Sequence, residues 1–228
     1  MLKQASKQAS KLSYNYDEIK LLQYVYGYVD VELSQIGTFT RGKRFVHADA
    51  VEQNGIPCVH YGELYTFYGV SATIYKSQIR KSILEEKKLR YAKKGDVIIV
   101  GAGENNEDIG IGVAWLGDEP IAVHDACYTF EIEQNPKYIS YFLRTHKYHE
   151  FIKKYVSEGK ICAINSDGIG KAIISLPSLE EQERIVSILD KFDKYCNDIS
   201  EGLPAEIQYR QQQYEYYRDK LLTFKRAN

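Results

Sequence analysis

No stretch of this chain approaches the run of about 20 apolar residues that a membrane span needs. The polar N-terminus (Lys3, Gln4, Lys7, Gln8) lacks an apolar signal core. Both absences predict a soluble, cytoplasmic protein with no membrane partner. Charge of one sign is not in excess either: 30 Lys and Arg face 31 Asp and Glu, a formal net charge of -1. A nucleic-acid face would therefore have to be a local patch. Cysteine is scarce: the four residues Cys58, Cys127, Cys162 and Cys196 lie far apart and form no Cys-x-x-Cys pair. That argues against a zinc site and for reduced, partly buried thiols.

The usual signatures of catalysis are also missing. Gly101-Ala102-Gly103 follows a strand-like run, but no third glycine falls at dinucleotide spacing, and there is no Walker loop. No Asn/Asp-Pro-Pro-aromatic stretch of the kind used for base amino-group methylation is present. Glu85-Glu86-Lys87 and Glu158-Gly159-Lys160 match the Glu-x-Lys fragment of metal-dependent nucleases, yet neither follows a clear acidic strand. The first reads as a solvated helix face, and a stand-alone metal-dependent DNA endonuclease is the alternative to be weighed. His146 and His149 share a helix face with no third ligand placed by spacing, so they read as surface histidines. His124 and Cys127 sit on one apparent strand with no orienting acid, which is poor geometry for a nucleophile. No catalytic residue, metal site or cofactor of the chain's own is expected.

What the sequence does have is apolar residues, 44% of the total, and twenty tyrosines, whose rings suit amphipathic interfaces. Three segments differ in character. Residues 1–28 form a leader of uncertain role, with a short helix predicted over Asp17 to Tyr28. Residues 29–177 carry short apolar runs between turn signals: GDVIIV (95–100), IGIGVAWLG (109–117), IAVHDACYTFEI (121–132) and GKAIISLP (170–177), with a helix over Tyr138 to Tyr155. This predicts an α+β, mostly antiparallel, β-rich domain.

Residues 178–228 change to heptad spacing. Ser178 and Glu181 form a capping box, and Ile185, Ile188, Phe192, Tyr195 and Ile199 follow at steps of 3, 4, 3 and 4. Gly202 and Pro204 mark a break. A second seam runs through Leu203, Ile207, Arg210, Tyr214, Tyr217, Leu221 and Phe224. Two long coiled-coil-type helices are predicted, either capping their own domain or also meeting a partner, and the length of the seams favours a homodimer.

Three positive clusters stand out: Arg41, Lys43 and Arg44 on one turn; Lys76 to Lys94, including Arg80 and Lys81; and Arg144 to Lys160. Such cations suit phosphates, while amides, arginines and aromatics read bases. The predicted DNA-binding residues are Arg41, Lys43, Arg44, Tyr61, Lys76, Arg80, Lys81, Asn105, Asn106 and Lys160. Tyr65, Tyr68 and Asn165 are further candidate readers.

The segments LPSLEEQERIVSILDKF (176–192) and DISEGLPAEIQYRQQQYEYYRDKLLTF (198–224) resemble the conserved region of type I restriction–modification specificity subunits. LSQIGTFTRGK (33–43), GIPCVHYGEL (55–64) and KKGDVIIVGAG (93–103) resemble parts of the recognition domain that precedes it. The resemblance implies a non-catalytic chain that reads one half of a split DNA target. Its helices would set domain separation and dock methyltransferase subunits. S-adenosylmethionine is then expected on the methyltransferase partner only, and a restriction/motor subunit joins through the complex. Family members usually carry two recognition domains and two conserved regions. One of each here leaves open a natural half-subunit, a truncated or alternative cassette, or a cloned fragment. Base-contacting residues are not carried over, because recognition domains vary widely.

Overall fold

A computed structural model of the chain describes residues 15–197 and 204–223. Helix α1 (Tyr16–Tyr26) begins at Asn15, whose side chain accepts the Glu18 amide at 3.0 Å while the Glu18 carboxylate accepts the Asn15 amide at 2.9 Å. This reciprocal cap satisfies two of the helix's orphan donors. Gly27, in the left-handed region at φ 79°, ends it. The helix predicted there is thus present, and Ile19 ties it into the main hydrophobic core.

Strand β1 (Tyr28–Glu32) pairs antiparallel with the last strand, β14 (Ile173–Pro177). The sheet framework between them is two five-stranded sheets. The first runs β2 (Gly37–Arg41), β12 (Cys127–Ile132), β8 (Val97–Val100), β10 (Gly112–Trp115), β5 (Ser71–Ala72). The second runs β3 (Ala50–Val51), β6 (Ser77–Ile79), β4 (Ile56–Val59), β11 (Ile121–Val123), β7 (Tyr91–Ala92). Strands β9 (Ala102–Gly103) and β13 (Cys162–Ala163) form a separate pair. Pairing is antiparallel except β10 with β5 and β11 with β4. The fold is therefore mixed α+β with mostly antiparallel sheets, as predicted.

Two predicted elements break in ways the sequence did not signal. The run 121–132 splits into β11 and β12, which belong to different sheets. Cys127 donates its amide to the His124 carbonyl at 2.9 Å, and the Ala126 amide donates to His124 Nδ1 at 3.1 Å, closing a turn between the sheets. Residues on both sides of the turn are buried, so no alternation marks the switch. The helix expected over 138–155 is two short ones. Among the described residues seven α-helices follow α1: α2 (Tyr61–Thr66), α3 (Ile83–Glu86), α4 (Pro136–Phe142), α5 (His146–Ile152), α6 (Ser166–Gly170), α7 (Leu179–Asn197) and α8 (Pro204–Leu221). Between α4 and α5, Thr145 turns its hydroxyl onto the Tyr148 amide and starts a new helix.

Helices α7 and α8, of 19 and 18 residues, pack against each other. Only residues 198–203 connect them, so they run antiparallel as a hairpin. Pro204 occupies the first helical position, as proline prefers. The capping box is only half formed: the Glu181 amide donates to Ser178 Oγ at 3.3 Å, but the Glu181 carboxylate grips Arg184 at 2.7 Å instead of returning to Ser178.

The buried stripe is also rotated from the predicted seam. Gln182, Ile185, Val186 and Leu189 are buried, Ile188 is half-buried, and Phe192 is 37% exposed. On α8, Tyr214 is buried, Leu221 half-buried and Tyr217 42% exposed, while Leu222, just past the helix end, is buried. Tyr195 and Ile207 have no described side-chain packing, and Ile199 and Phe224 lie outside the described residues. The physical reason is that the hairpin's first duty is to its own domain. One hydrophobic cluster joins Ile19, Val97–Val100, Tyr138, Ile185, Leu189, Tyr214 and Leu222. A 3.6-residue period facing that core, at 182, 185, 186 and 189, displaces the 3.5-residue one.

Gln182 makes this junction specific. Its Nε2 donates to the Pro177 carbonyl at 2.8 Å and to Gln134 Oε1 at 3.0 Å, and its Oε1 accepts the Asn135 amide at 3.1 Å. Asn135 in turn caps α4 through the amides of Lys137 and Tyr138. Asp190, one turn beyond Val186, accepts from Tyr141 Oη at 2.7 Å and Lys137 Nζ at 2.5 Å. Gln182→Ala should destabilise the chain by about 2–4 kcal/mol, because it opens a cavity and leaves buried groups unpaired. Gln182→Met, which retains volume, should recover only part of that. Denaturant titration of the three proteins checks the order.

Two histidines give the fold an acid limit. His124 Nδ1 accepts the Ala126 amide and Nε2 lies 3.0 Å from the Phe45 carbonyl. The ring is therefore neutral with its proton on Nε2, and its 3.2 Å approach to Asp125 is not an ion pair. Burial pushes the pKa of His124 below the usual 6.5, outweighing Asp125, and burial does the same to His149. As the pH falls through 6.5, the unfolded chain takes up protons that the folded chain refuses. Stability should decline below about pH 6.5, and His149→Gln should flatten part of that decline in unfolding midpoints measured from pH 7.5 to 5.

Candidate nucleic-acid interface

The turn after β2 is held by backbone bonds from the Gly42 amide to the Cys127 carbonyl and from the Lys43 amide to the Val123 carbonyl, both 2.9 Å. It packs so closely on Val123 and His124 that a Cβ at Gly42 would lie 2.2 Å from the His124 carbonyl oxygen. Only glycine fits there. The turn thus presents Arg41, Lys43 and Arg44, all exposed, on a rigid base.

Side chains far along the chain join them. Lys87 Nζ donates to the Arg44 carbonyl at 3.0 Å, and Arg90 donates to the Arg41 carbonyl at 2.7 Å. Arg41 Nε donates to the Asp125 carbonyl at 2.7 Å. Bonds to neutral carbonyls orient these cations without neutralising them. Two of the three positive clusters thereby merge into one ridge of Arg41, Lys43, Arg44, Lys87 and Arg90. Lys87 and Arg90 fall within the second cluster, but their convergence on the first turn is a tertiary fact that sequence spacing does not show.

A cleft of about 580 Å³ opens beside the ridge, lined by Arg41, Arg44, His60, Tyr61, Glu104 and Asp125 among others. Its rings are ordered among themselves: Phe45 meets His60 and His124 edge-on at 4.8 and 5.1 Å, and Tyr61 lies 6.3 Å from His124. Beneath them Glu63 accepts the His60 amide at 3.0 Å and the Ser77 hydroxyl. The far wall is Ala102-Gly103 of β9, pinned to β13, with Gly101 and Ala102 both donating to the Ala126 carbonyl. Lys160, exposed, adjoins Ile161 of the cleft lining.

The remaining predicted residues are placed differently. Arg80 lies in an ion triad, 2.9 Å from Asp49 and 2.6 Å from Glu86. The Val46 amide first, and Arg80 next, hold the Asp49 carboxyl below its ordinary value. Arg80 is thus committed within the fold. Lys76 lies 4.7 Å over the Phe67 ring, and Lys81 is exposed beside α3. The Asn105 amide donates to Asp108 at 3.1 Å and that of Asn106 to Glu158 at 3.3 Å. Of the further readers, Tyr68 is buried with its hydroxyl on the Lys76 amide, and Asn165 caps α6. Tyr65 is half-buried, 6.4 Å from Tyr61.

Of the two Glu-x-Lys fragments, Lys87 of the first donates to the Arg44 carbonyl, and Glu158 of the second accepts from the Asn106 side chain. Among the described residues no group of three or more His, Cys, Asp or Glu side chains is placed to hold a metal ion. Cys58, Cys127 and Cys162 are free and buried; burial raises the Cys58 thiol to about 12 and pushes Cys127 up as well. Among the described residues no helix is long and apolar enough to cross a membrane.

Comparison with known proteins identifies the lineage. Residues 26–209 match the family described as Type I restriction modification DNA specificity domain. A protein of Haemophilus influenzae assigned as a type I restriction enzyme specificity subunit is 30% identical over 223 residues, covering 92% of this chain and 52% of that protein. The EcoR124I/EcoR124II specificity subunit of Escherichia coli is 53% identical over 66 residues, 29% of this chain and 16% of its own length. The chain thus spans about half the length of the Haemophilus relative. In fold it is similar to the HsdS subunit from Thermoanaerobacter tengcongensis, with a TM-score of 0.53 at 16% identity, over 97% of this chain and 54% of that one. The extent of the family match and the length of the Haemophilus alignment leave one conclusion: the chain belongs to the type I restriction–modification DNA specificity family.

Proposed function

We propose that this chain reads one half of a bipartite DNA target for a type I restriction–modification complex and has no catalytic role itself. The observation that carries this is the ridge, where five cations from two distant segments converge on one rigid turn beside a cleft. Phosphates on the ridge fix register, and polar groups of the cleft wall meet base edges. Residues 29–177 form the reader and residues 178–228 the spacer, while α1 serves as part of the reader's scaffold.

The hairpin is the surface for protein partners. Phe192 and Tyr217 stack at 6.0 Å and remain substantially exposed, with Tyr216 beside them and Tyr209 also exposed on α8. A second copy related by a two-fold axis would cover this strip and build a coiled-coil spacer between two readers. The adenine methyltransferase subunit docks on the same helical region and carries S-adenosylmethionine, and the restriction/motor subunit joins through it. Such a chain works on DNA in the cytoplasm.

Reconstitution with a type I adenine methyltransferase subunit tests the proposal. The expected result is a stable complex that methylates adenine at a split sequence, with neither protein active alone. Magnesium-dependent cleavage of DNA by the purified chain alone would contradict it and favour the endonuclease.

A further inference from the structure

Two carboxylates of the cleft lining, Glu104 and Asp125, are out of keeping with a phosphate-binding role; Asp125 is half-buried 3.2 Å from His124, and Glu104 is the exposed one. Glu104 is exposed, lines the cleft beside Arg41, Arg44 and Tyr61, and has no hydrogen-bond or ion-pair partner among the described residues. Its neighbours differ: Asn105 and Asn106 have their amide protons on Asp108 and Glu158. Asp108 in turn is occupied by Asn105. Glu104 is also firmly based. It follows β9 directly, whose backbone is held by β13 on one side and by the Ala126 carbonyl on the other.

A free carboxylate here repels phosphate oxygens, so it lowers affinity for DNA in general. The cost is offset if the carboxylate meets a donor. In a DNA groove the donors that differ between base pairs are exocyclic amino groups, cytosine N4 and adenine N6 in the major groove, and glutamate accepts from the first of these. A carboxylate cannot favour the carbonyl oxygens of guanine or thymine, so it rejects as well as selects. The cationic ridge beside it keeps the phosphates close enough for that penalty to act on every wrong sequence.

We infer that Glu104 is a specificity-determining residue, accepting a hydrogen bond from the exocyclic amino group of a cytosine or adenine in the half-site. This rests on the ridge and cleft being the DNA face. Of the candidate readers expected from the sequence, Asn105 and Asn106 lie one and two positions later.

The test is selection of bound DNA from a randomised duplex library by the full chain, alongside Glu104→Gln and Arg44→Ala. The wild type should enrich a short half-site containing one position restricted to an amino-bearing base, and whether it is cytosine or adenine separates the two donors. Glu104→Gln should bind a random duplex as well as the wild type or better. It should lose about tenfold in preference at that one position and keep the others, since a wrong base commonly costs about that much. Arg44→Ala should weaken all sequences together. Unchanged preferences in Glu104→Gln, or equal weakening on every sequence, would overturn the assignment of Glu104 while leaving the DNA face standing. No weakening in Arg44→Ala would instead remove the ridge, and the inference with it. Thermal unfolding of Glu104→Gln equal to wild type excludes a folding defect.

Discussion

Replacing Lys43 and Arg44 together by alanine should reduce affinity for every DNA sequence by tenfold or more at moderate salt. It should also flatten the dependence of log K on log salt by roughly two units. Each phosphate contact contributes about 0.9 of a unit of slope through counterion release. Both side chains are exposed, and neither makes a side-chain hydrogen bond within the described residues, so the fold should not notice their loss. Arg80→Ala gives the contrast. It breaks the Asp49 and Glu86 pairs, so it should lower stability while leaving the salt slope nearly unchanged. Titrations of labelled duplex at four salt concentrations separate the two behaviours. An unchanged slope in the double variant would remove the turn from the DNA face.

Phe192→Asp combined with Tyr217→Asp should convert a self-associated chain into a monomer at micromolar concentration. A two-fold interface counts each substitution twice, and a buried aromatic hot spot is worth about 2 kcal/mol or more. Monomers should therefore dominate across the concentrations at which the proposed dimer forms. These positions are better probes than Tyr214, which is buried against its own domain, so that an aspartate there would attack the fold itself. Sedimentation of both proteins, with unfolding midpoints as control, gives the answer. A monomeric wild type would rule out the dimer.

The same distinction between a chain's duty to itself and to its partner explains what the sequence could and could not convey. Apolar runs marked β8 and β10 because a strand buried on both faces needs nothing but apolar residues. Pro204 marked a helix start for a local reason, the missing amide. The switch of sheets at His124–Ala126 left no mark, since buried strands on both sides look alike. The heptads at 185–192 carried two periods at once, and packing on α4 and β14 decided between them. Gln182 is polar yet fully buried, and nothing in the heptad spacing singles it out. The cationic ridge was half visible: Arg41 to Arg44 as a turn, Lys87 and Arg90 as part of a charge run. Their meeting depends on carbonyls brought together by the two sheets. Glu104 was hidden by its own chemistry, since an acid is not what a search for a DNA face selects.

Recognition in residues 29–177 and spacing in the helices are separable on this account, and one measurement addresses that directly. Helix α8 spans 18 residues, about 27 Å at 1.5 Å per residue, and α7 is of similar length. Because they form a hairpin, both must grow together: one heptad after Asp193 and one after Gln213 lengthen it by about 10 Å and keep the helical phase. The gain corresponds to about three base pairs of rise at 3.4 Å each. Adenine methylation is then mapped genome-wide for the complex reconstituted with wild-type and lengthened chains. The account predicts the same two half-sites with a wider gap between them. The same gap in an intact complex, or different bases in the half-sites, would contradict it.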